Sequence, residues 1–564
     1  MLAAHLVLTG LPGVAATLLA ARCGVRGVPV LLATGLAATG ALAMLTFWAY
    51  YADPVAGETF SYFLVIGSVA LSVWALYGGH LDRGLLRRLA TPLGLWALGS
   101  VFLVFLGFLH GGTDHSVATA STRFSGPLPS DNYIPYFFAE WFFHHGHHGV
   151  PPIFTGEWLA SDRPPLQVGY VMAQRPFGPH QTELHYTVVG VVLQQLWIVG
   201  LWALLVAARV GRVTRGLAVV AVLLSDLAIV NGFFVWPKML PAAMLLGAAA
   251  LILTPLWAEV RRSLWGGALV AALFGLAMMG HGSSLFGIVP LALIAVYRGL
   301  PSARWLGVAA LVGLLLVAPW SAYQKYGDPP GNRLTKWMLA GVTEIDGRGT
   351  GEAISDAYGE AGLGGAIHNK AENFVMMVGG GPAVEFADDA IDAIDDGRFG
   401  DAAGSVRAIF FFYLVPSLGL LLLGPLAMLF GRRRGRRRPA EWSLALSCFA
   451  VFALGALIWG LVLFGNSPSR ASVHIGSYLV PLLGICGAVV GLRATFPRFA
   501  VWFVGAAALL SLTLYVPSLT PAPGSEYSLP AALLVAASLA VFGLLAFRDD
   551  EGAARAERVA ALPA

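Results

Sequence analysis

At 564 residues, 57% hydrophobic and only 12% charged, with a mean hydropathy of +0.72, the chain is too apolar for an ordinary soluble enzyme and reads as a polytopic membrane protein. Its formal net charge of +4 is small and its arginines cluster in short connections, so the basic balance reports topology and gives no ground for a nucleic-acid partner. The three cysteines, Cys23, Cys448 and Cys486, fall at or inside apolar runs and provide neither a disulfide framework nor a CxxC metal motif.

Apolar runs of the roughly 17–25 residues that cross a bilayer as a helix are predicted at 3–21, 28–50, 59–79, 89–110, 184–207, 216–235, 239–258, 264–280, 285–299, 305–323, 408–430, 441–464, 474–492, 499–516 and 527–547, fifteen in all. The first has no basic stretch before it, and Arg22 and Arg26 follow it, so it is expected to remain as a span and not to be cleaved as a signal. Arg22/Arg26, Arg83/Arg87/Arg88, Arg209/Arg212/Arg215, Arg261/Arg262, Arg298/Arg304, the GRRRGRRR run at 431–438, Arg493/Arg498 and Arg548 fall on alternate connections. The positive-inside rule makes that face cytoplasmic, with the N-terminus outside and the C-terminal tail inside.

Two connections, 111–183 and 324–407, are too long for turns, and both are predicted outside. The first carries an irregular, proline-bearing stretch from Asp131 through the aromatic segment Tyr133–Phe143 to Asp162-Arg163-Pro164-Pro165-Leu166. The second is Gly-rich and acidic and is expected to form a small, partly helical cap. Its Asp388, Asp389, Asp392, Asp395 and Asp396 lack the ligand spacing of a calcium loop and fit a solvated helix face.

Asp131, in PSDN before an aromatic run, has the context of a helix N-cap. Asp162 and Arg163 precede two prolines that hold the backbone extended. A guanidinium placed there suits a phosphate, which it grips bidentately; the alternative is an Asp162–Arg163 pair that only shapes the loop. Lys238, in FVWPKMLP at the outer mouth of a span, is either a second phosphate contact or a snorkelling anchor beside Trp236. The histidines of HHGHH (His144, His145, His147, His148) cannot all face one ion from a helix and Gly146 breaks the run, so a helix terminus at the lipid–water boundary is expected instead of a metal site. Asp226 lies mid-span, where a charge is expensive unless paired or wet.

The order of an acid, an aromatic segment and an acid/base-Pro-Pro-Leu sequence resembles the first extracytoplasmic loop of GT-C glycosyltransferases, particularly the branch of lipid A aminoarabinose transferases and protein O-mannosyltransferase-like enzymes. Three later segments are similar to that family as well. MMGHGSSLFGIVP matches a Lys-Gly turn, with His281 replacing the Lys. APWSAYQKYGDPPGNRLTKW at 318–337 looks like the segment that opens the large outer loop. GNSPSRASVHIGSYLVPLLG at 465–484 resembles a Ser-x-Lys-x-x-x-Tyr-x-x-Pro segment.

The resemblance spans roughly residues 90–490. It implies an all-α polytopic GT-C-type bundle: additional spans in 1–88, a core in 89–492 with the two outer loops, and further helices and a tail in 493–564. It implies Asp131 as catalytic base and Arg163, Lys238, His281, Arg470 and His474 as contacts to the donor phosphate and lipid, with Asp162, Tyr323, Lys325, Tyr326 and Arg333 as loop contacts. Lys238 stands where many relatives carry an acid, which weakens a two-carboxylate model and any metal site built on that pair; Arg163 stands where Lys is usual.

The implied activity is inverting transfer of a sugar from a polyprenyl-phosphate donor to a hydroxyl of a glycan, lipid or protein, outside the plasma (inner) membrane. It calls for no nucleotide, metal or other cofactor. The Ala-, Gly- and Arg-rich composition suggests a high-GC bacterium, where decaprenyl-phosphate-dependent arabinosyltransferase or mannosyltransferase activity in cell-wall synthesis is the corresponding expectation. A lipid-binding assembly subunit or a lipid-linked sugar flippase is the alternative.

Overall fold

A computed structural model describes all residues except 78–80, 125–127, 129–131, 150–157, 179–180, 378–379, 414–423, 432–438, 466–477, 517–526 and 549–564. The described residues form helices and no strand. Nine helices among them are long and apolar enough to cross a membrane: α1 (Leu2–Arg22), α2 (Val28–Ala52), α3 (Pro54–Leu76), α4 (Arg83–Gly107), and those at Thr182–Ala207, Ala303–Gly327, Ala440–Val462, Pro497–Tyr515 and Leu529–Ala546. Each coincides with a predicted apolar run. A tenth run is a bent pair, Arg212–Leu223 and Asp226–Phe234, which meet at 52°. The break has a local cause: Ser225 is extended, and its hydroxyl accepts from the Ala228 N–H at 3.3 Å, capping the second helix. Four more predicted runs are shorter helices, Met239–Ile252, Leu264–Gly280, Gly282–Tyr297 and Leu479–Thr495. The run predicted at 408–430 is interrupted by residues outside the described set, and 432–438 of the GRRRGRRR segment lie there too.

Met239–Ile252 is buried at every position and forms the centre of the bundle, packed by α2, Trp197–Ala207 and Leu264–Gly280. The periphery behaves oppositely. Ala303–Ala322 buries only Trp305 and Trp320, while Leu314 and Leu315 stand 63% and 66% exposed, an apolar surface that lipid covers without cost.

The first outer connection is more ordered than an irregular loop. It contains helices Ser116–Thr122 and Tyr133–His145, a 3₁₀ turn at Ala160–Asp162, and a helix at Leu166–Gln174 whose nine residues are all buried. That last helix is too short to register as a span. It enters the bundle because Gly169 packs its backbone on the Ala43 carbonyl, where any side chain would collide. The amides of Gln167 and Gln174 are hydrogen-bonded inside. Tyr133–His145 ends at Gly146 with φ 55°, as the broken histidine run predicts, and its N-cap position is Asn132.

The second connection is a helical cap of Arg333–Ala340, Thr350–Met377, Gly380–Asp395 and Phe399–Tyr413. Its five predicted acids are exposed, as on a solvated face.

Candidate functional site

A cavity of about 400 Å³ opens where these outer segments meet the ends of the bundle helices, a size within the roughly 300–1,000 Å³ of small-ligand sites. Its wall is assembled from parts far apart in sequence: Asp162 and Arg163 from the first connection, Lys238 at the start of Met239–Ile252, and His281 at the end of Leu264–Gly280. Trp158, Trp236, Trp320, Trp337 and Trp459 supply an aromatic lining. Four of the sequence-predicted residues therefore meet in one space.

Each basic group is held by local chemistry. The Arg163 guanidinium lies 4.6 Å over the Trp158 ring, and Arg333 lies over the same indole at 4.2 Å. Lys238 Nζ sits 3.8 Å over Trp236 and 5.2 Å from the Tyr478 ring. Stacking of this kind is worth about 2 kcal/mol where water is excluded. It lets a buried lysine such as Lys238, 4% exposed, sit among apolar neighbours. Tyr478 is fixed in turn by its hydroxyl, which donates to Asn231 Oδ1 at 2.5 Å. His281 caps the turn Gly282–Ser284: its Nδ1 accepts from the Ser283 N–H at 3.1 Å and pairs with the Ser283 hydroxyl at 2.8 Å. A neutral ring accepting at Nδ1 carries its proton on Nε2.

Asp162 has two tasks. Its carboxylate accepts from the Leu159 N–H at 2.9 Å and from Arg333 at 3.2 Å, with both side chains nearly fully buried. Desolvation pushes its pKa up, against the downward pull of the Leu159 N–H and the Arg333 and Arg163 charges. The adjacent Ser161 N–H donates to Asp328 at 2.7 Å, and Gln324 donates to the Ser161 carbonyl at 3.0 Å. The Asp-Arg-Pro-Pro segment is thus stitched to the opening of the second connection. Helix Arg333–Ala340 then contributes Leu334, Thr335, Trp337 and Met338 to the cavity wall, tied to the far side by the Phe464 N–H donating to the Met338 carbonyl at 2.9 Å.

A further set of buried amides spans the site from below. Gln194 Oε1 accepts from the N–H groups of Met239 and Leu240 at 2.9 and 3.0 Å, while its Nε2 donates to Gln167 Oε1 at 2.7 Å. Gln167 in turn donates to the Val235 carbonyl at 2.9 Å. These bonds connect the helix that follows Arg163 to the turn that carries Lys238.

Other predicted residues lie elsewhere. Tyr323 is buried against Trp320, Tyr51 and Phe142 and does not line the cavity, while Lys325 and Tyr326 are exposed beyond it. Asp226 is buried beside Tyr515, not in this cavity. His145 stacks on Trp141 at 4.2 Å, and His147 pairs with the Ala52 carbonyl at 2.9 Å. Asp131, Arg470 and His474 lie outside the described residues.

The sequence reading missed Trp158, Trp337, Tyr478, Asp328 and the two glutamines. Of these, Gln194 carried a signal as a polar group inside an apolar run, and Tyr478 as the tyrosine of the motif at 465–484. No known family profile, curated protein or solved structure matches this chain. Its class rests on its own helices, which are those of a polytopic helical membrane protein.

Proposed function

We propose that the chain is a GT-C-type membrane glycosyltransferase, with as many as fifteen spans, that moves a sugar from a polyprenyl-phosphate donor to an acceptor hydroxyl outside the plasma membrane. The observation that carries this reading is the convergence of Arg163, Lys238 and His281 on one aromatic-walled cavity. A polyprenyl phosphate leaves as an anion, so cations fixed at the phosphate stabilise the charge that develops there without a general acid. Arg163 offers a planar fork, Lys238 a point charge and His281 an Nε2–H. The indole faces provide an amphipathic wall suited to a sugar ring and the first prenyl units.

In this mechanism Asp131 is the base. It takes the proton of the acceptor hydroxyl as that oxygen attacks the anomeric carbon, the bond to the phosphate oxygen breaks, and the configuration inverts. Arg470 and His474 extend the donor contacts, and no nucleotide or metal enters. The arginine-bearing connections face the cytoplasm and the cavity faces outward.

The test is transfer of radiolabelled sugar from polyprenyl phosphate by the purified protein. Transfer that disappears in Asp131→Asn while donor still binds supports the reading. Donor binding without transfer in the wild type points to a lipid-binding or flippase role, and absence of donor binding overturns the proposal.

A further inference from the structure

A second cavity, of about 330 Å³, lies among α1, α2 and α4 and shares no residue with the first. Interhelical contacts fix its depth. The site end of the bundle is marked by Phe47 against Trp320 (6.0 Å) and by His5 bonded to Gln174 (3.1 Å), whereas the second cavity is lined by later positions of α1 and earlier positions of α2 and α4. It therefore reaches from mid-bundle toward the opposite end, the one that carries Arg22, Arg26, Arg83, Arg87 and Arg88.

The lining specifies an apolar occupant. Its polar side chains are satisfied within the protein: Thr17 donates to the Leu31 carbonyl, Thr39 to the Thr9 carbonyl and Trp96 to the Val192 carbonyl, while Thr9 accepts from Gln174. Water held here would find no open partners. Along α4 the groove runs from Leu86 to Trp96, about 15 Å at the helical rise. That is half of the roughly 30 Å hydrocarbon thickness, the depth of one leaflet.

The mouth sits at headgroup level. Leu76 lines it, flanked by the exposed aromatics Trp74 and Tyr77, and Arg22 donates to both of their carbonyls at 2.9 Å while lying 4.3 Å over the Trp74 ring. Such an aromatic and arginine belt marks a membrane interface. Arg83 stands one helical turn before the lining residue Leu86, and Arg87 is exposed one turn before Ala90. Arg88 lies 3.9 Å from Asp82, the single acid on that helix end. Apolar depth, leaflet length and a basic rim together describe a lipid with one inserted chain and a negative headgroup.

We propose that α1, α2 and α4 form a binding groove for one acyl chain of an anionic phospholipid, with its headgroup against Arg83 and Arg87. The site is independent of the outer cavity and of its chemistry.

The test is native mass spectrometry of the delipidated full-length protein with phosphatidylglycerol or phosphatidylcholine of identical chains. One retained phosphatidylglycerol is expected, preferred about fivefold or more, the ratio that one basic side chain at an anionic surface supplies. Ala90→Phe, at an exposed position on the groove, is expected to remove the retained lipid, whereas Leu314→Phe on a lipid-facing helix leaves it. Arg83→Gln with Arg87→Gln is expected to erase the headgroup preference. Equal retention of the two lipids by the wild type, or undiminished retention by Ala90→Phe, overturns the proposal. A phosphatidylglycerol with a photoreactive acyl chain gives a variant-free check: label concentrated on α1, α2 and α4 supports the groove, and label spread evenly over all lipid-facing helices refutes it.

Discussion

Gln194 is the most informative single residue for the architecture of the outer cavity. It is fully buried, and Gln194→Met, close to isosteric, removes three hydrogen bonds at once: two from the N-terminal N–H groups of Met239–Ile252 and one to Gln167. At the roughly 0.6 kcal/mol typical of one bond in a membrane bundle the loss is about 2 kcal/mol. The stranded helix N–H groups raise it, since each buried unsatisfied donor costs about 1–3 kcal/mol. We expect about 3 kcal/mol, measured by equilibrium unfolding in mixed micelles. Lys238 is the N-cap residue of the same helix, so donor affinity is expected to fall as well. The neighbouring Gln195 provides the contrast, because its buried amide has no hydrogen-bond partner among the described residues. Gln195→Met is expected to be neutral or stabilising. A Gln194→Met protein within about 0.5 kcal/mol of wild type, a change typical of uninvolved positions, refutes the argument that this amide strut holds the site.

Arg163→Ala and Lys238→Ala are each expected to weaken donor turnover by about 2 kcal/mol or more, and Arg163→Lys by less, because it keeps the charge and loses the planar fork; steady-state kinetics with the polyprenyl donor decide. Arg333→Met, which strands buried Asp162, is expected to cost about 3 kcal/mol at neutral pH and to be relieved by adding Asp162→Asn, read from a double-mutant unfolding cycle. Because burial raises the Asp162 pKa, the unfolded chain releases that proton first as pH rises above about 3.8, so this group's contribution to stability declines with rising pH until its folded pKa is passed. Unfolding measured from pH 3 to 7 should show that slope in wild type and lose it in the double variant. For topology, Gly349→Cys is exposed in the cap and is expected to react with impermeant maleimide in intact cells, whereas native Cys23, exposed at the arginine-rich end, reacts only after permeabilisation.

Much of the helical framework was legible because lipid-soluble runs need only length and composition to be recognised, and all nine long helices fall on predicted runs. Leu166–Gln174 was not legible. A nine-residue apolar stretch carries no span signal, and its burial depends on Gly169 meeting a carbonyl more than a hundred residues earlier. In the site, Arg163 was singled out by the prolines that follow it, Lys238 and His281 by their places at the ends of apolar runs, and all three by the family resemblance; each lines the cavity. Tyr323, Lys325 and Tyr326 were grouped with them because their segment, 318–337, resembles the one that opens the family's large outer loop. At the end of a helix, residues one or two apart point in different directions, so Gln324 reaches the cavity while Tyr323 packs inward and Lys325 faces out.

The Asp162–Arg333 pair shows why loop chemistry resists a reading by segments. Alone, Asp162 beside Arg163 suggests a local ion pair, but Asp162 ends the 3₁₀ turn and Arg163 leaves it in extended backbone, so the two side chains take different directions. The fold uses that divergence: Asp162 turns toward Arg333, 171 residues away, while Arg163 turns into the cavity. The ring of Trp158 is then shared by the two guanidiniums, one in the cavity wall and one in the pair with Asp162. Loss of Arg333 therefore acts on Arg163 through that indole as well as through the carboxylate. Trp158→Leu, which keeps an apolar volume and removes the ring face, is expected to lower donor affinity while leaving the Asp162–Arg333 pair intact. An unchanged affinity in that variant means that Arg163 is positioned by its backbone and the prolines alone.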